Sequence, residues 1–411
     1  MYKKVIWILV ITFIIIVSFI IFKFIIYNKT NSNNLTEKSQ FSIGVNIHFV
    51  KPNIEEVSKL HKAGFKIVRM DLSWASIERV KGIYNFTDYD TLVRNMNESN
   101  IKILFILNYS NPLYDNGISP HTDEGRKAFA NFAKNAAEHY KDKGIVWEIW
   151  NEPNIGFWKP KPNAADYSRL AIDTINAIRS KDKNAFIIAP ALAGVDYNFL
   201  NQLGRNQIFK YIDAVSIHPY RQKNPETVIE DYKKLRQLIQ KYPHNENIEI
   251  FSGEWGYSTS WKNMNDMKQA QYCIREYLTN IMCGVNVSIW YDWKDDGTNK
   301  SNQEHNFGTV YNDLTPKPTY YAIQTMNTAL NGYRYVKRID TQSKDDYVLM
   351  FQKGDKVVYA VWTTGKSHDI NIDLKNNKVQ VIELMGKNYN DKGAKKKYKI
   401  NLDENVKYIL N

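Results

Sequence analysis

Cysteine is scarce in this sequence, which has only two among its 411 residues, Cys273 and Cys283. Both fall in one predicted helix, about 15 Å apart, which is beyond the reach of a disulfide. Metal-binding spacings such as CxxC or HExxH are absent, and so is a glycine-rich phosphate-binding loop. We therefore expect two buried thiols, no bound metal and no cofactor.

Acidic side chains are outnumbered, because 43 aspartates and glutamates face 55 lysines and arginines, a net charge of +12. Such a charge in a cytosolic protein would suit nucleic acid. The lysines are dispersed along the chain, however, and the N-terminus is typical of an exported protein. We therefore expect no nucleic-acid partner. A basic surface outside the cytoplasm suits acidic polysaccharide or an anionic envelope instead.

The N-terminus carries a long apolar run, from Val5 to Phe22, with two lysines before it. Its length approaches the roughly 20 residues that cross a bilayer as a helix. The lysines favour a cytoplasmic N-terminus. We expect residues 1–27 to be an uncleaved single-pass signal anchor, and the polar residues 28–40 to be a flexible tether. The alternative is a cleaved signal peptide and a secreted protein.

Beyond the tether, β-rich runs alternate with amphipathic helical segments, a pattern typical of parallel α/β proteins. This series predicts a (β/α)8 TIM barrel over residues 41–332. From residue 333 to 411 the runs shorten and are separated by Gly, Asn, Asp and Lys, which predicts a small antiparallel, sandwich-like β module packed on the barrel. We predict barrel strands near residues 41–49, 66–71, 101–108, 146–152, 186–189, 214–217, 248–254 and 285–290, and helices over 53–63, 123–140, 164–180, 225–241, 266–283 and 320–330.

Two strand-like runs end in glutamate. Glu152 precedes Pro153, which cannot donate to a sheet ladder, and Glu254 lies between two glycines. They are 254 − 152 = 102 positions apart, about three β/α units of roughly 30 residues. If the first glutamate ends strand four, the second ends strand seven. Because chemistry in such barrels is done at the C-terminal strand ends, we expect the two carboxylates to face each other. A lone Glu152 would more simply cap a helix or pair with a surface lysine.

The motif Trp147-Glu148-Ile149-Trp150-Asn151-Glu152-Pro153-Asn154 resembles that of the clan A glycoside hydrolases, whose acid/base and nucleophile glutamates end strands four and seven. It is most similar to the motif of family 39, which includes xylosidases, iduronidases and endo-acting exopolysaccharide hydrolases. Related motifs occur in the cellulase-like family 5. The resemblance covers roughly residues 41 to 330. Gly253 departs from it, because a hydroxyl residue is common there in these relatives.

The resemblance implies a retaining mechanism, in which one carboxyl is kept protonated and the other ionised. Glu152 then matches the general acid/base and Glu254 the nucleophile. Asn151 resembles the asparagine that contacts the sugar 2-hydroxyl. Tyr220 resembles the tyrosine that hydrogen-bonds the nucleophile, and Arg69 the arginine whose charge supports it.

Other strand-end residues are candidates for substrate binding. Trp290, at the end of strand eight, is placed to floor the subsite of the reacting sugar, and His218 is either a ligand to substrate or a structural donor. A loop with Asp292, Asp295 and Asp296 is a candidate for binding a cation or a basic sugar, or is simply solvated. Further candidates for lining the cleft are His48, Asn108, Trp255 and Trp293.

The function that these features favour is that of an exported, membrane-tethered retaining glycosidase. Its expected partners are a carbohydrate polymer or oligosaccharide substrate, with β-linkages in an envelope or extracellular polysaccharide, and the membrane. An exo-acting xylosidase-like enzyme or a transglycosylase would use the same glutamates. A non-catalytic glycan-binding barrel is the alternative from another class, and it has no chemical need for the full set of Glu152, Glu254, Asn151 and Tyr220.

Overall fold

A computed structural model of the chain describes residues 41–374, 378–391 and 397–411. The predicted signal anchor (1–27) and tether (28–40) lie outside these described residues. Within them, no helix combines the length and the hydropathy that crossing a bilayer requires.

Eight parallel strands form a closed barrel in the order of the sequence, and the first strand pairs with the last. Their carboxyl ends meet at one rim, where the predicted site residues lie. The predicted TIM barrel is confirmed. The strands are β1 (Ser42–Asn46), β2 (Ile67–Ser73), β3 (Lys102–Asn108), β4 (Val146–Ile149), β5 (Phe186–Ala193), β6 (Ala214–His218), β7 (Glu249–Trp255) and β8 (Val287–Trp290).

Helices follow the strands and cover the outside of the barrel, and the helix Asp266–Met282 is buried on all sides from Gln269 to Ile281. Three of the helices, over residues 74–77, 87–98 and 197–205, were not among the predicted helices. Those in the described chain are α1 (Ile54–Ala63), the single turn α2 (Trp74–Ile77), α3 (Thr87–Glu98), α4 (Asp123–His139), α5 (Ala164–Lys181), α6 (Tyr197–Arg205), α7 (Ile229–Ile239), α8 (Asp266–Met282) and α9 (Pro318–Ala329).

The ends of α1 follow directly from the sequence. Asn53 accepts a hydrogen bond from the Glu56 backbone N–H, and the Glu56 side chain accepts one from the Asn53 backbone, which is a capping box. At the other end, Gly64 has φ +90°, and a Cβ there would lie 2.5 Å from the Asn327 side chain. Glycine is therefore required both for the backbone conformation and for the close approach of α9.

The C-terminal region forms antiparallel sheets, as predicted. A six-stranded sheet has the order β14-β13-β16-β11-β10-β9, and β12 pairs with β15 in a separate two-stranded sheet. The strands are β9 (Arg334–Arg338), β10 (Asp346–Lys353), β11 (Lys356–Thr363), β12 (His368–Asp373), β13 (Val379–Glu383), β14 (Asn388–Asp391), β15 (Lys397–Leu402) and β16 (Lys407–Leu410).

The six-stranded sheet buries both of its faces, because alternate residues of a strand point to opposite sides. Leu349 and Trp362 join the hydrophobic core of the barrel, whereas Val348 and Val361 join a second core with the two-stranded sheet. The Trp362 indole also donates to the carboxylate of Glu226 on the barrel at 2.7 Å. The C-terminal sheets are thus packed against the barrel.

Both cysteines are free thiols, as expected. Cys273 is buried in α8, but Cys283 caps the C-terminus of that helix and is only half-buried, which corrects the expectation of two buried thiols. The difference arises because the helix ends one residue earlier than predicted.

Candidate active site

The C-terminal rim of the barrel holds a cavity of 680 Å³. This volume is typical of small-molecule sites. Its walls combine carboxylates with aromatic rings, a composition suited to sugars. The lining residues are Asn46, Ile47, His48, Arg69, Met70, Asp71, Ile106, Tyr109, Asn151, Glu152, Phe157, Tyr220, Glu254, Trp261, Tyr291, Gln303, Glu304 and Phe307.

Glu152 and Glu254 approach each other closely in this cavity. One carboxylate oxygen from each, together with a ring nitrogen of His218, lie within 4.8 Å of one another. The strand count inferred from their spacing is also correct, since Glu152 follows β4 and Glu254 lies at the end of β7. A separation this short leaves no room for a water molecule between the carboxyl groups and a sugar carbon.

Glu254 is held by two donors. Nη1 of Arg69 donates to its Oε2 at 2.6 Å, and the Tyr220 hydroxyl donates to its Oε1 at 2.9 Å. Two such hydrogen bonds, one to each oxygen, fix the orientation of the carboxylate. Both oxygens are therefore positioned, and the side chain is still 14% exposed to the cavity.

Glu152 sits in a drier environment. Burial raises its pKa to about 7, and the charge of Arg69 opposes that rise. Its backbone has φ +48°, a left-handed conformation that is sparsely populated for a residue with a side chain. The backbone N–H donates to the carbonyl of Ala191 at 2.9 Å, which holds this conformation. Such strain is common where a side chain must be aimed at a ligand.

His218 lies behind Glu152 and is fully buried. Burial lowers its pKa to about 4, so the ring is neutral at pH 7. Its Nε2 faces Nη2 of Arg69 at 3.4 Å, and a guanidinium can only donate. The hydrogen must then be on Nδ1, which donates to Oε1 of Glu152 at 2.8 Å. His218 therefore orients Glu152 and does not line the cavity.

Arg69 donates hydrogen bonds to several residues of the site. It is fully buried, and besides Glu254 it donates to Glu148 at 2.6 Å, to Asn151 at 2.8 Å and to Asn46 at 3.2 Å. Burial alone would lower its pKa, but Glu148 and Glu254 raise it well above the usual value. The guanidinium thus carries a permanent charge, enclosed by two carboxylates.

Glu148 was not predicted as a site residue, although it lies within the motif that carries the resemblance. It points into the barrel, where Ser216 donates to its Oε1 at 2.5 Å. Arg69, Glu148 and Ser216 come from β2, β4 and β6, and alternate strands supply the layers of a barrel interior. The alternation of side chains along β4 was the signal that could have identified Glu148 as inward-facing.

A steric conflict within this layer of side chains explains why position 253 is a glycine. A Cβ at that position would lie 2.1 Å from the Ser216 hydroxyl and 3.2 Å from Oε1 of Glu148. A serine side chain at 253 would therefore clash with Ser216. The hydroxyl group that the resemblance leads one to expect at 253 is supplied in this neighbourhood by Ser216 on the adjacent strand.

Asn151 lines the cavity beside Glu152. Because its Oδ1 accepts from Arg69, its amide NH2 is the group left to donate to a ligand. This orientation suits an asparagine that contacts a sugar hydroxyl.

Three predicted tryptophans lie elsewhere than expected. Trp290, Trp255 and Trp293 are at most 1% exposed and do not line the cavity. The Trp290 indole donates to the Phe307 carbonyl at 3.2 Å, so the segment around Phe307 covers it. The next residue, Tyr291, faces the cavity instead. The expectation that Trp290 floors the subsite is therefore corrected.

Asn108 and His48 differ in their placement. Asn108 is buried, and its amide donates to Asp71 at 2.6 Å, so it positions a cavity carboxylate rather than lining the cavity itself. His48 does line the cavity and pairs with Asp296 at 2.9 Å. Burial lowers the pKa of His48, but the hydrogen bond and charge of Asp296 outweigh it, so the pKa is raised.

The aromatic walls were largely missed from the sequence. Tyr109 and Phe157 stack at 5.5 Å between ring centroids on the wall after β3 and β4. Tyr291 and Trp261 line the opposite side, where the Tyr291 hydroxyl donates to Glu304 at 3.0 Å. All four lie in loops, where neither strand nor helix periodicity marks a side chain as facing the ligand.

The loop aspartates separate into two groups. Asp295 pairs with Lys317 at 2.6 Å, and both side chains are buried. Asp292 and Asp296 face His48 instead. Among the described residues, two sets of donors are compact enough to hold a metal ion: Glu152 with His218 and Glu254, and His48 with Asp292 and Asp296. In the first set, Arg69 already supplies the positive charge beside Glu254.

This arrangement can do acid–base and nucleophilic chemistry together. One carboxyl has a pKa near neutrality and can deliver a proton, while the other accepts from a guanidinium and a phenol and suits a nucleophile.

Comparison with known proteins agrees with this chemistry. The family model described as cellulase (glycosyl hydrolase family 5) matches residues 33–297. A β-xylosidase of Geobacillus stearothermophilus is 24% identical over 337 residues, which cover 69% of this chain. The chain spans 65% of the length of that relative.

Solved structures of family 39 enzymes share the fold. A family 39 glycoside hydrolase from Bacteroides cellulosilyticus WH2 superposes with a TM-score of 0.79 at 24% identity, covering 91% of this chain and 81% of its own. A β-xylosidase of the same family from Caulobacter crescentus gives 0.69 at 18% identity, covering 90% and 95%. The expected likeness to clan A is confirmed.

Proposed function

This chain belongs to the cellulase family, glycosyl hydrolase family 5 of clan A, and we propose that it is a retaining enzyme that cleaves β-linked O-glycosidic bonds in an envelope or extracellular polysaccharide. The observation that carries the proposal is the separation of Glu152 and Glu254, whose nearest oxygens are within 4.8 Å. Retaining enzymes hold their carboxyl groups about 5 to 5.5 Å apart, whereas inverting ones need about 6.5 to 9.5 Å.

In the first step, Glu254 attacks the anomeric carbon while the bond to the leaving oxygen breaks. Glu152 gives its proton to that oxygen, and its pKa of about 7 supports this role because the carboxyl is still largely protonated in mildly acidic solution. The product is a glycosyl ester on Glu254. The polymer end departs as an alcohol.

In the second step, Glu152 is ionised and takes a proton from water. The water oxygen attacks the anomeric carbon, the ester bond breaks, and Glu254 leaves as a carboxylate. Arg69 and Tyr220 stabilise that carboxylate as a leaving group, with contacts of 2.6 and 2.9 Å. The Asn151 amide NH2 is available for the sugar 2-hydroxyl, a bond that strengthens as charge develops on the ring.

An exo-acting xylosidase-like activity is the second candidate. It is favoured by one observation, the alignment with a protein named β-xylosidase. A transglycosylase would share the first step and differ only in the acceptor of the second. The non-catalytic glycan-binding barrel is disfavoured, because the strained backbone and raised pKa of Glu152 have no use in binding alone.

We further propose that residues 1–27 anchor the enzyme in the cell membrane with its barrel outside the cytoplasm. The apolar run from Val5 to Phe22 with its preceding lysines supports this topology. Fractionation of cells that express the full chain tests it. Recovery of intact protein from the membrane fraction is expected, and a soluble product beginning near residue 30 would contradict it.

The catalytic assignment is tested with aryl β-glycosides and a panel of polysaccharides. Glu152→Ala and Glu254→Ala should each lose activity on unactivated substrates. Added azide should restore turnover in both variants, with products of opposite anomeric configuration. Glu152→Ala should give a β-glycosyl azide and Glu254→Ala an α-glycosyl azide. Full activity in either variant would exclude that residue from the mechanism.

A further inference from the structure

A cluster of three donor side chains lies at the rim of the cavity, separate from the pair Glu152 and Glu254. We refer to His48, Asp292 and Asp296 as the rim cluster. Nδ1 of His48 is 2.9 Å from Oδ1 of Asp296 and 3.7 Å from Oδ2 of Asp292. His48 follows β1 and the aspartates follow β8, so the cluster spans the two strands that close the barrel.

The carboxylate of Asp292 is the unusual member of the rim cluster. Its side chain is 2% exposed, and among the described residues its Oδ1 has no hydrogen-bond partner. The 3.7 Å to His48 is too long for a hydrogen bond. A buried carboxyl oxygen that lacks a hydrogen-bond donor is costly, so an additional ligand at Asp292 would satisfy it.

The neighbouring Asp295, in the same loop, has hydrogen-bond donors for its carboxylate. It accepts from the Lys317 ammonium at 2.6 Å and from the Gly308 backbone N–H at 2.9 Å. Asp292 is equally buried but faces His48 and another aspartate. The rim cluster contains neither a lysine nor an arginine, and Asp295 does not belong to it.

The geometry points to one divalent cation bound by the rim cluster. One donor atom from each of its three residues lies within 4.8 Å of the others. Bonds of about 2.0 to 2.2 Å to an ion would place such atoms roughly 3 to 3.5 Å apart. The observed 2.9 and 3.7 Å need only small adjustments.

One imidazole and two carboxylates suit Zn²⁺, a borderline ion that takes nitrogen and oxygen ligands, and the carboxylates also suit Mn²⁺, whereas Ca²⁺ prefers oxygen alone. Three protein donors leave at least one coordination position open. His48 and Asp296 are 41% and 33% exposed, and His48 lines the cavity. The open position therefore faces the substrate side, where water or a sugar hydroxyl can occupy it.

Metal titration tests this inference without any reference to hydrolysis. The full chain, purified in detergent and freed of metal with a chelator, is titrated calorimetrically with ZnCl2 and, separately, MnCl2. We expect one saturable site per chain. In Asp292→Asn and in Asp296→Asn the affinity should fall at least about tenfold.

Glu304→Gln is the matched control, because Glu304 is a carboxylate of the same cavity outside the rim cluster. It should bind the ion as wild type does. Metal-free thermal unfolding of Asp292→Asn should match or exceed that of wild type, since a buried charge is removed, which separates lost binding from lost folding.

The inference is overturned if wild type shows no saturable binding at millimolar metal, or if Glu304→Gln loses as much affinity as Asp292→Asn. It is also overturned if glucosamine, and no metal, raises the unfolding temperature of wild type but not that of Asp296→Asn. That result would assign the rim cluster to an amino sugar.

Discussion

Arg69 and Glu148 form an ion pair inside the barrel, with Nε and Oε2 2.6 Å apart and both side chains at most 1% exposed. The other side of the same guanidinium contacts Glu254 at 2.6 Å. The charge that supports the proposed nucleophile is thus itself held by a carboxylate that never reaches the cavity.

Glu148→Gln should therefore disturb both folding and catalysis. Removing one partner of a buried pair leaves the other poorly compensated, and we expect the free energy of unfolding to fall by about 3 kcal/mol or more. Turnover should fall with little change in KM, because Glu148 positions Arg69 and touches no substrate. Urea unfolding and steady-state kinetics measure the two effects.

Glu124→Gln is the control for that substitution, since Glu124 pairs with Lys81 at an exposed site. Exposed pairs contribute little, so both properties should stay near those of wild type. Equal stability of Glu148→Gln and wild type would show that the buried pair has no structural role.

Tyr220→Phe removes one of the two donors to Glu254, the hydroxyl at 2.9 Å from Oε1. A hydrogen bond to a charged group is worth about 1.5 to 3 kcal/mol, so kcat/KM should fall about tenfold to a hundredfold. Tyr272→Phe is the control, because its hydroxyl bonds Asn224 and it does not line the cavity. A loss of similar size in both variants would argue against a specific role for Tyr220.

The pH dependence of glycosylation should report Glu152. Its pKa of about 7 means that the protonated, proton-donating form is lost as the pH rises past 7. For phenyl glycosides, kcat/KM should decline tenfold per pH unit above that value. Dinitrophenyl glycosides need no proton in this step, because their leaving group departs as an anion. For these substrates the decline of kcat/KM at high pH should be much weaker. If kcat/KM declined equally at high pH for both substrates, Glu152 would be excluded as the cause of the decline.

Phe157 tests how far the binding site extends beyond the reacting sugar. Its ring is 46% exposed and stacks on Tyr109. Aromatic contacts contribute about 0.5 to 1.5 kcal/mol, so Phe157→Ala should raise KM for oligosaccharides about threefold to tenfold with kcat unchanged. Aryl monosaccharides should be unaffected, and Phe157→Tyr should behave as wild type. Equal effects on short and long substrates would place this ring next to the reacting sugar.

The strand ends of the barrel were predictable from the sequence for a physical reason. The spacing of Glu152 and Glu254 places them three strands apart, and the resemblance to clan A indicated the roles of Arg69 and Tyr220. Helix α3 could also have been predicted, because its buried residues repeat at helical spacing. These residues are Tyr89, Leu92, Val93 and Met96. Its first residue follows Phe86, which offers no side-chain cap, so the usual start signal is absent.

The cavity walls were not predictable in the same way. Trp290 and Tyr291 are adjacent in the sequence, and which of them faces the cavity depends on how the segment around Phe307 folds over the barrel. Asp292, whose Oδ1 has no hydrogen-bond partner in the described part of the chain, and Asp295, which pairs with Lys317, are likewise indistinguishable in the sequence. Long-range packing of loops decides such features, and local patterns do not encode it.

Glu276 should make the protein less stable as the pH rises. It is fully buried in α8, neither of its carboxylate oxygens has a hydrogen-bond partner among the described residues, and burial raises its pKa well above the usual value. The folded state therefore binds this proton more tightly than the unfolded state. Stability linked to it is complete at a pH below the unfolded pKa of about 4.3 and is lost at about 1.4 kcal/mol per pH unit above it, until the folded pKa is reached.

Glu276→Gln removes this titration while keeping the size of the side chain. Near pH 4 the variant and wild type should have similar free energies of unfolding, whereas at pH 8 the variant should be more stable, and the difference between the two curves isolates Glu276 from every other group. Glu230→Gln, at an exposed position of α7, should show no pH-dependent difference from wild type. Urea unfolding at several pH values measures all three proteins. A Glu276→Gln curve parallel to that of wild type would mean that Glu276 is ionised in the folded protein, with a compensating partner such as water or Arg221.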